Sequence, residues 1–224
     1  MTDLGKRIDL HTHSLLSDGM LLPSECLRYA AMLGHKALAI TDHVDYSNME
    51  SVIRKLLSFD KKQAHSIPVK FIPGVEITHV DPSVIPQMAK DARKYGAKIV
   101  VLHGGTPSEP VTPGTNHVGV FKKGLIDILA HPGMISEEDV ALAKENGIYL
   151  ELSAKPAHRD TNKHVAALAS RIGAKLLVNT DSHGPDGYIS QQRAFEIAKE
   201  CGLNDDQALR TVKDNPEELL KKLK

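Results

Sequence analysis

Seven short, nearly uninterrupted apolar runs recur along the chain, each followed by a stretch of helical periodicity, and this alternation limits the folds open to it more than any other feature. The runs are "RIDLHTH", "ALAITDH", "VKFIPGVEIT", "AKIVVLHGG", "IDILAHP", "IYLELSA" and "KLLVNTDSH". Their near-continuous apolar character suits strands covered on both faces. Amphipathic segments lie between them, among them "PSECLRYAAMLG", "VIPQMAKDARKYG", "SEEDVALAKENG", "HVAALASRIG" and "SQQRAFEIAKECG". Their closing glycines supply the left-handed conformation that ends a helix. Pro23 or Ser24 opens the first helix, and Ser136 with Asp139 three residues on resembles a capping box. Strand followed by helix, repeated, predicts an α/β protein with a parallel sheet and outer helices, as a closed barrel or an open doubly wound sheet. With 224 residues and no visible linker, repeat or low-complexity tract, one domain over residues 1–224 is expected. The C-terminal "NDDQALRTVKDNPEELLKKLK" reads as one or two capping helices broken near Pro216.

Charge and cysteine usage narrow the partners. Lys plus Arg and Asp plus Glu both number 28, so no global field attracts long nucleic acid or an anionic membrane. Cys26 and Cys201 form no CxxC pair, which argues against a disulfide framework or a thiolate zinc site and fits a reducing cytoplasm. No apolar stretch has signal-peptide length or the ~20 residues needed to span a bilayer, so a soluble, cytoplasmic protein is expected.

Twelve histidines in a chain with only 4% aromatic residues are not explained as members of an aromatic core. Their positions are the informative part. In "HTHSLLSDG", His11 and His13 sit at i and i+2, so an extended backbone points both to one face. For an isolated HxH, one packed and one solvated histidine is the plainer reading. Here, however, His43, Glu76, His103, His131, Asp181 and His183 also fall at the C-terminal ends of apolar runs, where parallel α/β folds assemble their sites. Imidazoles and carboxylates converging on one mouth need cations to neutralise them, so the cluster reads as metal binding. Asp18, in "LLSDG", is either a further ligand or an Asp-Gly turn residue. The Gly- and Pro-rich stretch 104–116 exceeds the usual ~2 to 6 residue connection and is either a lid or binding loop or merely a long surface loop. Lys155, His158 and Arg159, in "SAKPAHRDTNKH", are either contacts for a substrate phosphate or an ordinary solvated loop. His79 and His117 match no metal motif, and His35 belongs to the opposite end of the barrel as a structural residue.

Taken in order, "HTHSLLSDG", "TDH", "GVE", "LHGG", "AHP" and "TDSH" resemble the motifs of the polymerase and histidinol phosphatase (PHP) family of metal-dependent phosphoesterases. The resemblance runs from Asp9 to His183. It implies a distorted (β/α)7 TIM-like barrel of seven parallel strands, a strand count that the apolar runs support independently. It also implies three divalent ions: one held by His11, His13, Glu76 and Asp181, a second by Glu76, His103 and His131, and a third by Asp18, His43 and His183, with Glu76 bridging. His11, His13, Glu76, Asp181 and His183 are then the catalytic set. Oxygen and imidazole donors without thiolates suit Zn, Mn or Fe, and such a site would attack phosphorus with a metal-bound hydroxide. A small phosphate monoester such as histidinol phosphate is the leading substrate. A nucleotide or oligonucleotide phosphodiesterase or nucleotidase is the alternative, ahead of an amidohydrolase or a non-catalytic metal-binding subunit. The sequence leaves the oligomeric state open.

Overall fold

The computed structural model describes residues 3–223. Its strand segments are β1 (Ile8–Asp9), β2 (Ala37–Ile40), β3 (His43–Val44), β4 (Lys70–Ile77), β5 (Ile99–His103), β6 (Ile128–Ala130), β7 (Tyr149–Ser153) and β8 (Leu176–Asn179). All pairings are parallel, in the order β1-β2-β4-β5-β6-β7-β8, with β3 also on β4. β3 is the second strand resumed after an interruption at Thr41 and Asp42, so the eight segments make seven staves. The first and last staves meet through a parallel bridge between Thr12 and Ser182, with His13 N–H donating to Ser182 O at 2.9 Å and Asp181 N–H to His11 O at 3.0 Å. The result is a nearly closed, distorted barrel.

Strand alternation sorts the side chains into two layers. Ala37 and Ala39, Ile99 and Val101, Ile128 and Ala130, Tyr149 and Leu177 fill the barrel interior. Leu38 and Ile40, Val100 and Leu102, Leu129, Leu150 and Val178 face the outer helices and join the larger apolar cluster beneath them. Those helices are α1 (Pro23–Met32), α2 (Met49–Lys62), α3 (Ile85–Tyr95), α4 (Thr115–Val120), α5 (Glu137–Asn146), α6 (Asn162–Ile172), α7 (Gln191–Glu200), α8 (Asp205–Leu209) and α9 (Asn215–Lys222). The longest, α2, buries Met49, Val52, Ile53 and Leu56 at helical spacing.

Two local expectations are refined. Ser136 accepts from Asp139 N–H at 3.1 Å, but the Asp139 carboxylate binds His117 Nδ1 at 2.7 Å, so only half of the capping box forms. The C-terminal segment is not broken at Pro216. A π-helical turn over Arg210–Asp214 joins α8 to α9, and this widened turn accommodates a proline that has no N–H to give. From α9, Leu219 and Leu220 enter the interior cluster with Ile8, Ile72 and Tyr149, closing the end of the barrel where the strands begin. The opposite end, where the strands finish, stays polar.

Candidate metal centre

The same alternation delivers most of the polar cluster. Glu76 extends the inward series of β4 two residues beyond Gly74, His103 that of β5 after Ile99 and Val101, and Glu151 that of β7 after Tyr149. His43 pairs with Glu76 across the ladder. Three of the expected ligands depart from the rule. His131 follows the inward Ala130 directly and turns inward only because its backbone takes a φ of 26°; Asp181 likewise has φ of 50°. Each such conformation costs on the order of 1–3 kcal/mol in a residue with a side chain, a strain that accumulates at functional sites. His11 also follows an inward residue, Leu10, where regular β1 pairing has ended.

Two carboxylates form the floor. Glu76 Oε2 lies 3.3 Å from His11 Nε2 and 3.5 Å from His13 Nε2, while its Oε1 lies 3.8 Å from His131 Nε2. Asp181 repeats the arrangement, with Oδ1 3.0 Å from His13 Nε2 and Oδ2 3.9 Å from His131 Nε2. Both residues are buried, and neither Glu76 oxygen makes a hydrogen bond; His43 Nδ1, 2.8 Å from Oε2, is engaged instead with Thr78 Oγ1 at 2.7 Å. His13 Nδ1, His103 Nδ1, both ring nitrogens of His131 and Asp181 Oδ1 are buried without partners as well. Burying an unpaired carboxylate costs several kcal/mol, on the order of the largest single penalties in a folded protein. Oxygen and imidazole atoms orphaned around a common centre are what divalent cations satisfy, so the residues fit such ions.

Electrostatics agree. Burial opposes the ionised form of Glu76, but His11, His43 and His103 outweigh it and hold the carboxyl well below its usual range. Burial likewise opposes a charge on His11, yet Glu151, Glu76 and Asp181 raise its affinity for a proton. Burial wins at His13, whose pKa falls to about 3, and at His131, which is also lowered.

The third group sits higher. Asp18 Oδ2 lies 3.3 Å from His183 Nε2 and 3.6 Å from His43 Nε2, and Oδ1 lies 4.0 Å from His13 Nδ1. The structure therefore brings eight of the nine residues expected as ligands into three groups competent for a metal: His11, His13 and Glu76; Glu76, His103 and His131; and His13, Asp18, His43 and His183; the ninth, Asp181, expected beside His11, His13 and Glu76, falls in a further group. His13 joins the Asp18 group as well as the His11 pair. A fourth group combines His131 and Asp181 with His158. The loop carrying Asp18 is fixed by Asp42, which accepts from Ser14 N–H and Oγ at 2.7 Å and from Ser17 Oγ at 2.8 Å. Gly19 closes it because a Cβ there would meet the His13 carbonyl at 2.7 Å.

Several second-layer groups are not apparent from the motifs. Glu151 accepts from His11 Nδ1 at 2.8 Å and from Asn179 Nδ2 at 3.0 Å, turning His11 Nε2 toward the floor. Glu109, in the long 104–116 loop, lies 3.1 Å from His103 Nε2, and that contact first of all pulls its carboxyl down to about 2. The last two residues of that stretch, Thr115 and Asn116, belong to α4. Lys155 Nζ reaches Asp181 Oδ2 at 3.1 Å; with Arg159 it lines a cavity of about 360 Å³ that also touches Asp181 and His183. His79 and His117 are exposed, and His35 is buried, with Nε2 3.0 Å from the Ile189 carbonyl.

A PHP domain family model matches residues 9–152. The chain belongs to the PHP family. An uncharacterized protein of Methanocaldococcus jannaschii is 41% identical over 218 residues, covering 97% of this chain and 100% of that one. Among solved structures, the histidinol phosphate phosphatase of Lactococcus lactis, complexed with zinc, L-histidinol and phosphate, superposes with a TM-score of 0.64 at 15% identity, covering 89% of this chain and 95% of that one. A chain of archaeal ribonuclease P with mature tRNA superposes with a TM-score of 0.69, also at 15% identity, covering 96% and 89%. At this identity the two structures show a shared fold.

Proposed function

We propose that this protein is a divalent-metal-dependent phosphoesterase that hydrolyses a small phosphate monoester, histidinol phosphate or a close analogue, at a site for three ions of Zn, Mn or Fe. The observation that carries the reading is the pair of buried carboxylates, Glu76 and Asp181, ringed by imidazoles whose ring nitrogens lack protein partners. Ions bound there would activate a water and neutralise charge on the phosphoryl oxygens. The chain's own groups do the positioning. Burial opposes the charge of Lys155, but Asp181 keeps it an ammonium. That ammonium can exchange the carboxylate for a phosphate oxygen, and the Arg159 guanidinium, tethered through Nε to Ala154 O at 2.7 Å, supplies a second cation at the cavity wall. Met20 and Ile189 offer apolar surface to the organic part of the ester. A cavity of about 360 Å³ suits a small ligand. No helix among the described residues is long and apolar enough to cross a membrane, and both cysteines are free and buried, which fits a reducing cytoplasm.

The likeness to the ribonuclease P chain favours a second reading, hydrolysis of a phosphodiester in a nucleotide or short nucleic acid. A balanced net charge weighs against long nucleic acid as partner. The test is hydrolysis by the metal-reconstituted protein of histidinol phosphate, nucleoside monophosphates and a bis-aryl phosphodiester, with His13→Ala as control. Selective monoester turnover supports the proposal. Diester turnover moves the function to the second reading, and bound metal without turnover leaves a binding subunit.

A further inference from the structure

Four histidines around the centre are anchored in the same way, through Nδ1, and three of them occupy motif positions. His11 donates from Nδ1 to Glu151 at 2.8 Å and His183 from Nδ1 to the Asp181 carbonyl at 2.9 Å. His43 Nδ1 lies 2.7 Å from Thr78 Oγ1, whose single hydrogen goes to Glu76 O at 3.1 Å, so the histidine must be the donor. In each ring Nε2 is left facing the cluster, the tautomer that binds a metal. His158 is the fourth. Ser108 Oγ gives its one hydrogen to Ala157 O at 2.7 Å, so in its 3.0 Å contact with Thr106 Oγ1 it accepts. Thr106 has then spent its own hydrogen, and its 3.0 Å contact with His158 Nδ1 requires the ring to donate. Nε2 of His158 is buried, has no hydrogen-bond partner, and lies 3.4 Å from Asp181 Oδ2. The His158 ring stacks on that of His131 with centroids 4.1 Å apart.

We infer that His158 is a metal ligand, completing with His131 and Asp181 a cation position on the β7 side of the centre. The sequence offers His158, with Lys155 and Arg159, as a phosphate contact or as part of a solvated loop; the hydroxyl chain behind its ring instead aims its Nε2 at Asp181 Oδ2. A cation on Asp181 Oδ2 also repels the Lys155 ammonium 3.1 Å from the same oxygen and frees it for a substrate phosphate. The assignment rests on the metal-dependent reading above, but its test does not require turnover.

Mn²⁺ is titrated calorimetrically into the full-length, metal-stripped wild type, His158→Ala and Thr106→Val, with circular dichroism reporting the fold and the KM of any hydrolysed monoester measured in parallel. The expected result is a loss of at least about tenfold in the affinity of one ion in His158→Ala, and a smaller loss for the same ion in Thr106→Val, whose ring has lost its acceptor. Unchanged Mn²⁺ affinities in a folded His158→Ala, with a raised KM, overturn the inference and return His158 to substrate binding. If His158→Ala does not fold, Thr106→Val decides by the same criterion. Loss of the ion in variants of a wild type that hydrolyses no phosphoester supports the ligand while removing the phosphoesterase reading.

Discussion

The floor and the rim of the metal centre are built by different means. On the floor, Glu76 and Asp181 are carried by, or directly follow, paired strands, are almost wholly screened from solvent and hold oxygens without hydrogen bonds. At the rim, Asp18 comes from a turn, its side chain is 56% exposed, and it rests against His183 and His43. Desolvation makes the difference matter. A charge that keeps its water rests comfortably without a cation, whereas a buried one depends on it. On the proposed reading, the floor is expected to hold its ions tightly and the rim to exchange its ion readily.

The largest effect should follow from removing the floor's shared carboxylate. Glu76→Gln is expected to strip the ions that depend on it and to lower phosphoester hydrolysis by on the order of 10³-fold, read by metal analysis beside initial rates. Next comes the support behind the floor: Glu151→Leu removes the acceptor that turns His11 inward and should cost about 10- to 100-fold in metal affinity or activity. Asp18→Asn should weaken a single ion by about tenfold and leave the others in place. Equal losses of all ions in Asp18→Asn and Glu76→Gln would erase the distinction between floor and rim.

What could be read in the sequence follows the same division. Strands repeat every two residues, so alternation identifies Glu76 and His103 as the next inward positions after Gly74 and Val101, whereas Asp181, the other floor carboxylate, turns inward through a positive φ that no alternation shows. Glu151 carries a signal too, as the one charged residue inside "IYLELS", yet it matches no ligand motif. Contacts between loops carry no comparable signal. Thr106 and His158 meet at 3.0 Å from positions 52 residues apart, and Glu109 is one more polar residue in a Gly- and Pro-rich stretch. The second strand's interruption at Thr41 and Asp42 is hidden in the continuous run "ALAITDH" because the break lies in the backbone pairing.

The mildest perturbation is pH acting on the metal-free protein, and it separates histidines that neighbouring carboxylates charge from those that burial keeps neutral. Burial opposes charge at His11 and His43, but Glu151 and Glu76 at the former and Glu76 at the latter raise both above the ordinary imidazole value. Their stabilisation is complete below the unfolded pKa of about 6.5 and is lost as pH rises through their folded values. His13, lowered to about 3 chiefly by burial, and His131, lowered by the same cause, contribute in the opposite sense: their share is present above about 6.5 and is lost as pH falls toward their folded values. The melting temperature of the metal-free protein should therefore peak near pH 6.5, the point both pairs share. Glu76→Gln removes a carboxylate that charges His11 and His43, so the fall above the peak should become shallower while the acid side persists. Saturating metal should flatten the alkaline side as well, since ions take the place of those protons. A melting temperature that runs level through this window, or an alkaline fall indifferent to Glu76→Gln, would mean that Glu76 does not set the charge of the floor.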